Sequence, residues 1–263
     1  MRAVPPLSPR RGPALSPQGA PGTAVTGAAE IAERAADLRA RIERAARRAG
    51  RDPAAVTLVA ASKGQPPDAL GAAWRCGVTV FGESRVQEAL AKMPLLAPGM
   101  EWHFIGPLQT NKVRAAVAAF SVFHSVDRLR LAAALDREGA TVSRALPCFV
   151  EVNLAAETTK HGFSEADLFA ALPRLAELAS LRVVGLMAIP PAGRDAAAAR
   201  PWFRALARLR DRVAATPGWA AFPGLLSMGM SDDFEIAIEE GATHVRIGSA
   251  LFGPRATVDA GSD

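Results

Sequence analysis

Only four of the 31 basic residues are lysines, Lys63, Lys92, Lys112 and Lys160, so arginine serves wherever a generic positive charge is wanted and each lysine needs a reason. Lys63 directly follows the apolar run TLVAAS at 57–62. An amine held there, where burial lowers its pKa, is able to form a Schiff base with a carbonyl compound. The competing reading is a lysine that snorkels from a strand end or pairs with Glu83 or Glu151. Late in the chain, Ser227-Met228-Gly229-Met230-Ser231-Asp232 and Arg246-Ile247-Gly248-Ser249 offer glycines that let backbone approach a ligand and hydroxyls that donate to it. Those residue types suit a phosphate. Taken alone, Ser231-Asp232 reads equally well as a helix cap with an acid in the first turn.

What must position these residues is legible in the periodicity. Eight strand candidates, 57–62, 78–83, 101–106, 121–126, 146–153, 181–189, 225–230 and 243–248, are mostly apolar. Between them lie segments of helical spacing at 67–76, 85–96, 109–119, 127–138, 164–179, 195–215 and 232–240. Buried strands alternating with helices predict a parallel sheet covered by helices. Eight repeats predict a single closed (β/α)8 barrel of the TIM type. The runner-up, a doubly wound open sheet, needs a Gly-rich turn after the first strand that this sequence lacks. Because only seven helical segments follow strands, the amphipathic stretch 28–49, with Ile31, Ala35, Leu38 and Ile42 on one face, is expected to complete the outer ring.

In such a barrel the chemistry gathers at the C-terminal strand ends, and phosphate sites favour the ends of strands seven and eight. Lys63 ends strand one, while Ser227, Gly229 and Ser231 end strand seven and Arg246, Gly248 and Ser249 end strand eight. An amine facing an anion cradle across one mouth fits a phosphorylated aldehyde. Pyridoxal 5′-phosphate is the familiar cofactor with both features.

Composition narrows the alternatives. With 263 residues and 49% hydrophobic content, the chain has material for a full core. No apolar run approaches the about 20 residues of a membrane span. The net charge of +5 is not a nucleic-acid footprint, since Arg2, Arg10 and Arg11 precede the first acid, Glu30, and the remainder is close to neutral. Cys76 and Cys148 lie far apart in no metal-ligand spacing, so neither a disulfide framework nor a metal site is expected and a reducing, cytoplasmic location fits. Residues 1–27 carry Pro5, Pro6, Pro9, Pro13, Pro17 and Pro21 with no apolar periodicity and read as a disordered tail. The barrel is expected over 28–256, with 257–263 a disordered C-terminus.

Several motifs together carry a family resemblance: Ala60-Ala61-Ser62-Lys63, Phe81-Gly82-Glu83-Ser84-Arg85-Val86-Gln87-Glu88, Trp102-His103-Phe104-Ile105-Gly106, Leu108-Gln109-Thr110-Asn111-Lys112, Lys160-His161-Gly162, Gly185-Leu186-Met187, Leu226 to Asp232, and Val245 to Gly248. Over about residues 28–255 the chain resembles the pyridoxal phosphate homeostasis proteins of vitamin B6 metabolism. The resemblance implies a barrel like the N-terminal domain of alanine racemase, Lys63 as the internal aldimine lysine, Ser231, Gly248, Ser249 and nearby backbone around the phosphate, and Arg246 near the pyridine nitrogen. A permanent cation there opposes protonation of that nitrogen and makes the ring a poorer electron sink, which suits a carrier. Two positions depart from the family pattern: Ser84 stands where Asn is usual and Pro107 where His is frequent.

Three functional classes follow. The first is a non-catalytic binder that maintains cofactor levels and delivers pyridoxal phosphate to apoenzymes. The second is an amino-acid racemase or related enzyme. Racemases of the resembling fold draw a tyrosine base from a second domain, and this chain has no tyrosine and no residues left over for that domain. The third, a phosphosugar enzyme with Lys63 as Schiff-base lysine, requires a tuned carboxylate pair, for which Glu83 and Glu151 are the candidates. His103 and His244, inside strands, are read as hydrogen-bonded structural residues. Met187, Met228 and Met230 fit either core filling or packing beneath a flat ring.

Overall fold

Residues 25–157, 160–191 and 196–253 are described by the structure, a computed structural model. The apolar runs form β1 (Thr57–Ala61), β2 (Val80–Glu83), β3 (Glu101–Phe104), β4 (Val122–Val126), β5 (Leu146–Glu151), β6 (Leu181–Met187), β7 (Leu225–Ser227) and β8 (His244–Ile247), paired in chain order. Every ladder is parallel. β8 returns to β1, with Thr57 opposite His244 and Val59 opposite Arg246, and so closes the barrel. The expected (β/α)8 architecture is the observed one.

The helices are α1 (Val25–Arg48), α2 (Pro67–Arg75), α3 (Val86–Lys92), α4 (Val113–Ala119), α5 (Leu129–Thr141), α6 (Glu165–Ala176), α7 (Arg200–Ala214), α8 (Phe234–Glu239) and α9 (Ser249–Phe252). The longer helices bury an apolar stripe. In α7, Phe203, Leu206, Leu209 and Val213 recur at three- and four-residue spacing and are buried, each contributing about 1.5–3 kcal/mol as an upper estimate. α1 packs against α2, α8 and α9, filling the gap between the last and first members of the ring. Arg41 locks it there with a two-pronged contact to Glu235 at 3.3 and 3.2 Å.

Several boundaries differ from the sequence expectation, three of them with a direct bearing on the ring of helices. α1 begins at Val25, three residues inside the stretch read as tail. The 85–96 segment divides into α3 and a 3₁₀ turn, Met93–Leu95, because Pro94 has no N–H to continue the helix. The missing eighth helix exists as the four-residue α9. The rest of the expected N-terminal tail, residues 1–24, and the expected C-terminal tail, 257–263, lie outside the described residues.

The lumen is unusual. Barrels of this type are generally filled by branched apolar side chains, but here His103, His124 and His244, from β3, β4 and β8, are all buried inside. The ring of Phe149 lies 4.4 Å from His124 and 4.9 Å from His244, centroid to centroid. On the β6–β7 side the strands approach so closely that a Cβ on Gly185 would sit 2.1 Å from the Leu225 carbonyl oxygen, so only glycine fits.

Candidate functional site

The turn after β1 is held by a buried charge cluster. The Ser62 hydroxyl donates to the Gly82 carbonyl at 3.1 Å and to Glu83 Oε1 at 2.8 Å. Lys92, at the end of α3, donates from Nζ to the Ser62 carbonyl at 2.9 Å, to Glu83 Oε1 at 2.9 Å and to Glu88 Oε1 at 2.6 Å. Glu88 Oε1 also accepts the Gly64 N–H at 2.5 Å. The residues on both sides of Lys63 are thus gripped by one lysine and two carboxylates. Burial pushes the Glu83 carboxyl above the ordinary carboxylate range, with Lys92 and Ser62 pulling the other way. Glu88 feels burial too, but the Lys92 ammonium and the Gly64 N–H hold it below that range.

Lys63 itself differs from expectation. Its side chain is exposed rather than buried, and among the described residues it makes no hydrogen bond or ion pair. Neither Glu83 nor Glu151 pairs with it, since Glu83 is taken by Lys92. The physical reason is the turn: β1 ends at Ala61, so Lys63 stands beyond the ladder while Ser62 turns inward. Lys92, not Lys63, is the buried lysine, at 8% exposure. Sequence reasoning missed it, although the scarcity of lysine marked it as much as Lys63.

On the opposite side of the β1–β8 seam lies the glycine and serine set. Gly248 follows β8 and is so close to β1 that a Cβ there would meet the Ala61 carbonyl oxygen at 3.3 Å. This places Gly248 beside the end of β1, two residues before Lys63. Ser249 is exposed at the start of α9, and Ser231 Oγ accepts the Ala250 N–H at 3.2 Å, tying the loop after β7 to that helix. Gly229 makes the turn after β7 at φ +92°, where L side chains are strained, with Ala237 Cβ only 2.6 Å from where its own Cβ would be. The capping role read for Ser231-Asp232 is not observed. α8 starts at Phe234 with Asp233 before it, and Asp233 Oδ1 accepts the Met230 N–H at 2.6 Å, while Ser231 faces α9.

Arg246 points inward from β8 and is 5% exposed. Its Nη1 donates to Ser227 Oγ at 2.7 Å and its Nη2 to the Ala188 carbonyl at 3.2 Å. Burial brings its pKa down to about 10, against the attraction of Glu151 and Asp233. Glu151 in turn is pushed up by burial and by Asp127, which itself pairs with Arg128 at 2.5 Å. His161 is exposed, 3.5 Å from Asp127 Oδ2. Asn153 supports its own loop, donating to the Glu157 carbonyl at 2.8 Å. Ser84 packs on Gly106, where a Cβ would come within 2.6 Å of it. Met187 and Met228 are buried, whereas Met230 is exposed.

The structure thus joins Ser227 to Arg246 directly, ties Ser231 to α9, and sets Gly248 against the strand that leads to Lys63. The arrangement combines an exposed amine after β1, glycines, hydroxyls and backbone N–H groups after β7 and β8, and a buried cation on β8. It fits a small aldehyde bearing a phosphate.

Comparison with known proteins agrees. Residues 34–256 match the family model described as alanine racemase, N-terminal domain. A pyridoxal phosphate homeostasis protein of Pseudomonas aeruginosa is 46% identical over 228 residues, covering 86% of this chain and 96% of the relative. That of Aquifex aeolicus is 43% identical over 224 residues, covering 85% and 97%. Among solved structures, PipY of Synechococcus elongatus PCC7942 with PLP bound is 39% identical, with a TM-score of 0.73, and the match covers 85% of this chain and 100% of that one. With a barrel, strand-end motifs and full-length relatives in agreement, the chain belongs to the pyridoxal phosphate homeostasis protein family.

Proposed function

We propose that this chain binds pyridoxal 5′-phosphate reversibly, with Lys63 as the residue of covalent attachment, and that it maintains intracellular levels of the cofactor without robust catalysis of its own. The observation that supports the reading is the seating of Gly248 against Ala61, beside the strand end leading to Lys63, which among the described residues has no hydrogen-bond or ion-pair partner. Ser231, Ser249, Gly229 and the N–H groups around Gly248 would hold the phosphate. Arg246, anchored by Ser227, would face the pyridine nitrogen. When bound, the cofactor supplies an electrophilic aldehyde and a ring able to accept electrons. Arg246 restrains the second property by opposing a proton on the ring nitrogen.

The non-catalytic assignment is supported by the names of the relatives and by the absence of tyrosine. Delivery to apo forms of cofactor-dependent enzymes is the partner class we assign. A cytoplasmic location is supported by two free cysteines, Cys76 and Cys148. Among the described residues, no helix is long and apolar enough to cross a membrane.

The test is reconstitution with pyridoxal phosphate, borohydride reduction and mass mapping of the labelled lysine. A yellow protein labelled at Lys63, whose visible band vanishes in Lys63→Ala, is expected. A protein that stays colourless overturns the reading. Incubation with a panel of L-amino acids should yield no racemised, transaminated or decarboxylated product at a rate above that of the free cofactor.

A further inference from the structure

A continuous line of hydrogen bonds crosses the barrel lumen from its N-terminal end to Arg246. Glu101 Oε1 lies 3.1 Å from His103 Nε2, His103 Nδ1 lies 3.0 Å from His124 Nε2, and His124 Nδ1 lies 2.7 Å from Ser227 Oγ. Arg246 Nη1 then donates to that same Ser227 oxygen at 2.7 Å. Four strands contribute, β3, β4, β7 and β8. His103, His124, Ser227 and Arg246 are each at most 5% exposed, so bulk water cannot complete an unmatched bond.

The chemistry of the groups fixes the direction of every bond. Guanidinium has no acceptor, so Ser227 Oγ accepts from Arg246. The Ser227 hydroxyl has one proton, and among the described residues its other hydrogen-bond partner is His124 Nδ1. Were His124 to donate from Nδ1, the serine would accept twice and its own proton would be buried without an acceptor, a costly arrangement. Burial together with the neighbouring His103, His244 and Arg246 keeps His124 neutral, so its single proton sits on Nε2. That proton points at His103 Nδ1, which accepts. His103 then carries its proton on Nε2 and donates to the Glu101 carboxylate, which Ser121 Oγ also approaches at 3.3 Å. His244 stands outside the line, its Nδ1 against Thr243 Oγ1 at 2.9 Å.

We propose that Glu101, His103, His124 and Ser227 form a one-way hydrogen-bond relay that orients Arg246, with both His103 and His124 in the Nε2–H tautomer. The donors all point from the cation at one end to the anion at the other. Such alignment polarises each member, so Ser227, donating its hydroxyl hydrogen bond to His124, offers Arg246 a more electron-rich oxygen. His124 and His103 are therefore positioning residues, acting on Arg246 through Ser227. The role at the ring rests on the reading of Arg246 given above; the tautomers do not.

The test has two arms. Long-range proton–nitrogen NMR on the apo protein, with the histidines labelled, reads the tautomers directly. Nε2–H at both His103 and His124 is expected. Nδ1–H at His124, or a doubly protonated His103, reverses the line and overturns the proposal. The second arm compares His124→Phe with His124→Gln, whose amide is able to accept from Ser227 and donate to His103. Weaker pyridoxal phosphate binding by about tenfold and a shifted visible band are expected for the phenylalanine variant, with recovery in the glutamine one. A folded His124→Phe protein with wild-type affinity and spectrum overturns the positioning role. Wild-type protein that shows the expected tautomers yet does not bind the cofactor sinks the proposed function and leaves the relay standing. Because the tautomers are read on the wild type, the relay is decided whether or not the variants fold.

Discussion

Lys92 Nζ lies 2.9 Å from the carbonyl oxygen of Ser62, the residue immediately before Lys63. A buried ammonium with three acceptors serves the backbone of the exposed lysine rather than the chemistry. Replacing it in Lys92→Met would leave Glu83 buried without its Lys92 partner, and among the described residues Glu83 Oε2 already has no hydrogen bond. The expected loss is about 3–5 kcal/mol, read as a lower urea midpoint at unchanged slope. Borohydride mapping of the wild type should label Lys63 and leave Lys92 unmodified. Label on Lys92 would show that the clamp opens and that the two lysines exchange roles.

The lumen histidines make stability depend on pH. Burial, with lesser contributions from His103 and Arg246, brings the His244 pKa down to about 3 from 6.5, and His124 is also held well below its ordinary value. Below pH 6.5 the unfolded chain takes up protons that the folded chain refuses, so stability falls as pH falls, for His244 until about pH 3. Each histidine contributes about 1.4 kcal/mol per pH unit within its window. Glu83, Glu151 and Asp233, raised chiefly by burial, act in the opposite sense above the ordinary carboxylate range and offset part of the slope. Urea midpoints followed from neutral to acid pH should decline, and His244→Phe should flatten the decline by about one proton. An unchanged slope in that variant would mean that His244 is not the neutral group described here.

The cradle admits a test that separates phosphate from ring. Gly248 has a negative φ, −113°, so alanine meets no left-handed strain there, yet its Cβ would press at 3.3 Å on the Ala61 carbonyl beside the seam. Gly248→Ala should therefore fold, with the neighbouring backbone displaced by a few tenths of an ångström. Affinity for pyridoxal phosphate should drop about tenfold while affinity for pyridoxal, which lacks the phosphate, changes little. Equal losses for the two ligands would move the phosphate away from this glycine.

Much of this was legible from the residues. The period of apolar runs gave eight strands within a few residues of their true limits, because fully buried parallel strands leave a continuous signature. The weaker boundaries were those set by single residues, such as Pro94 ending α3. Arg246 and Ser227 are named from strand-end position, but their contact is not, since it joins neighbouring strands, β8 and β7, whose residues lie 19 apart in sequence. The relay shows the limit most plainly. His103, His124 and His244 each look like ordinary strand histidines, and only closure of the sheet brings their rings within 6.2 Å of one another. The exposure of Lys63 was misread because a strand end is buried or open according to how the next turn leaves it.

Arg246 offers the sharpest distinction between a carrier and a catalyst. Its buried charge is balanced by Glu151 and Asp233, whose electrostatic attraction it feels, and it is fixed by Ser227 and Ala188. Arg246→Gln keeps a donor for Ser227 but removes the cation. Two consequences should appear together. Glu151 and Asp233 lose a nearby positive charge, so their pKa values rise further and the variant is less stable near neutral pH, by about 1–3 kcal/mol. The ring nitrogen of bound cofactor, no longer opposed by a fixed cation, becomes able to take a proton. The visible spectrum should then acquire a pH dependence absent from the wild type, and slow turnover of amino acids in the panel should emerge above the wild-type level. Identical spectra for both proteins at all pH values would show that Arg246 does not face the nitrogen, and the restraint on catalysis would have to lie elsewhere in the mouth.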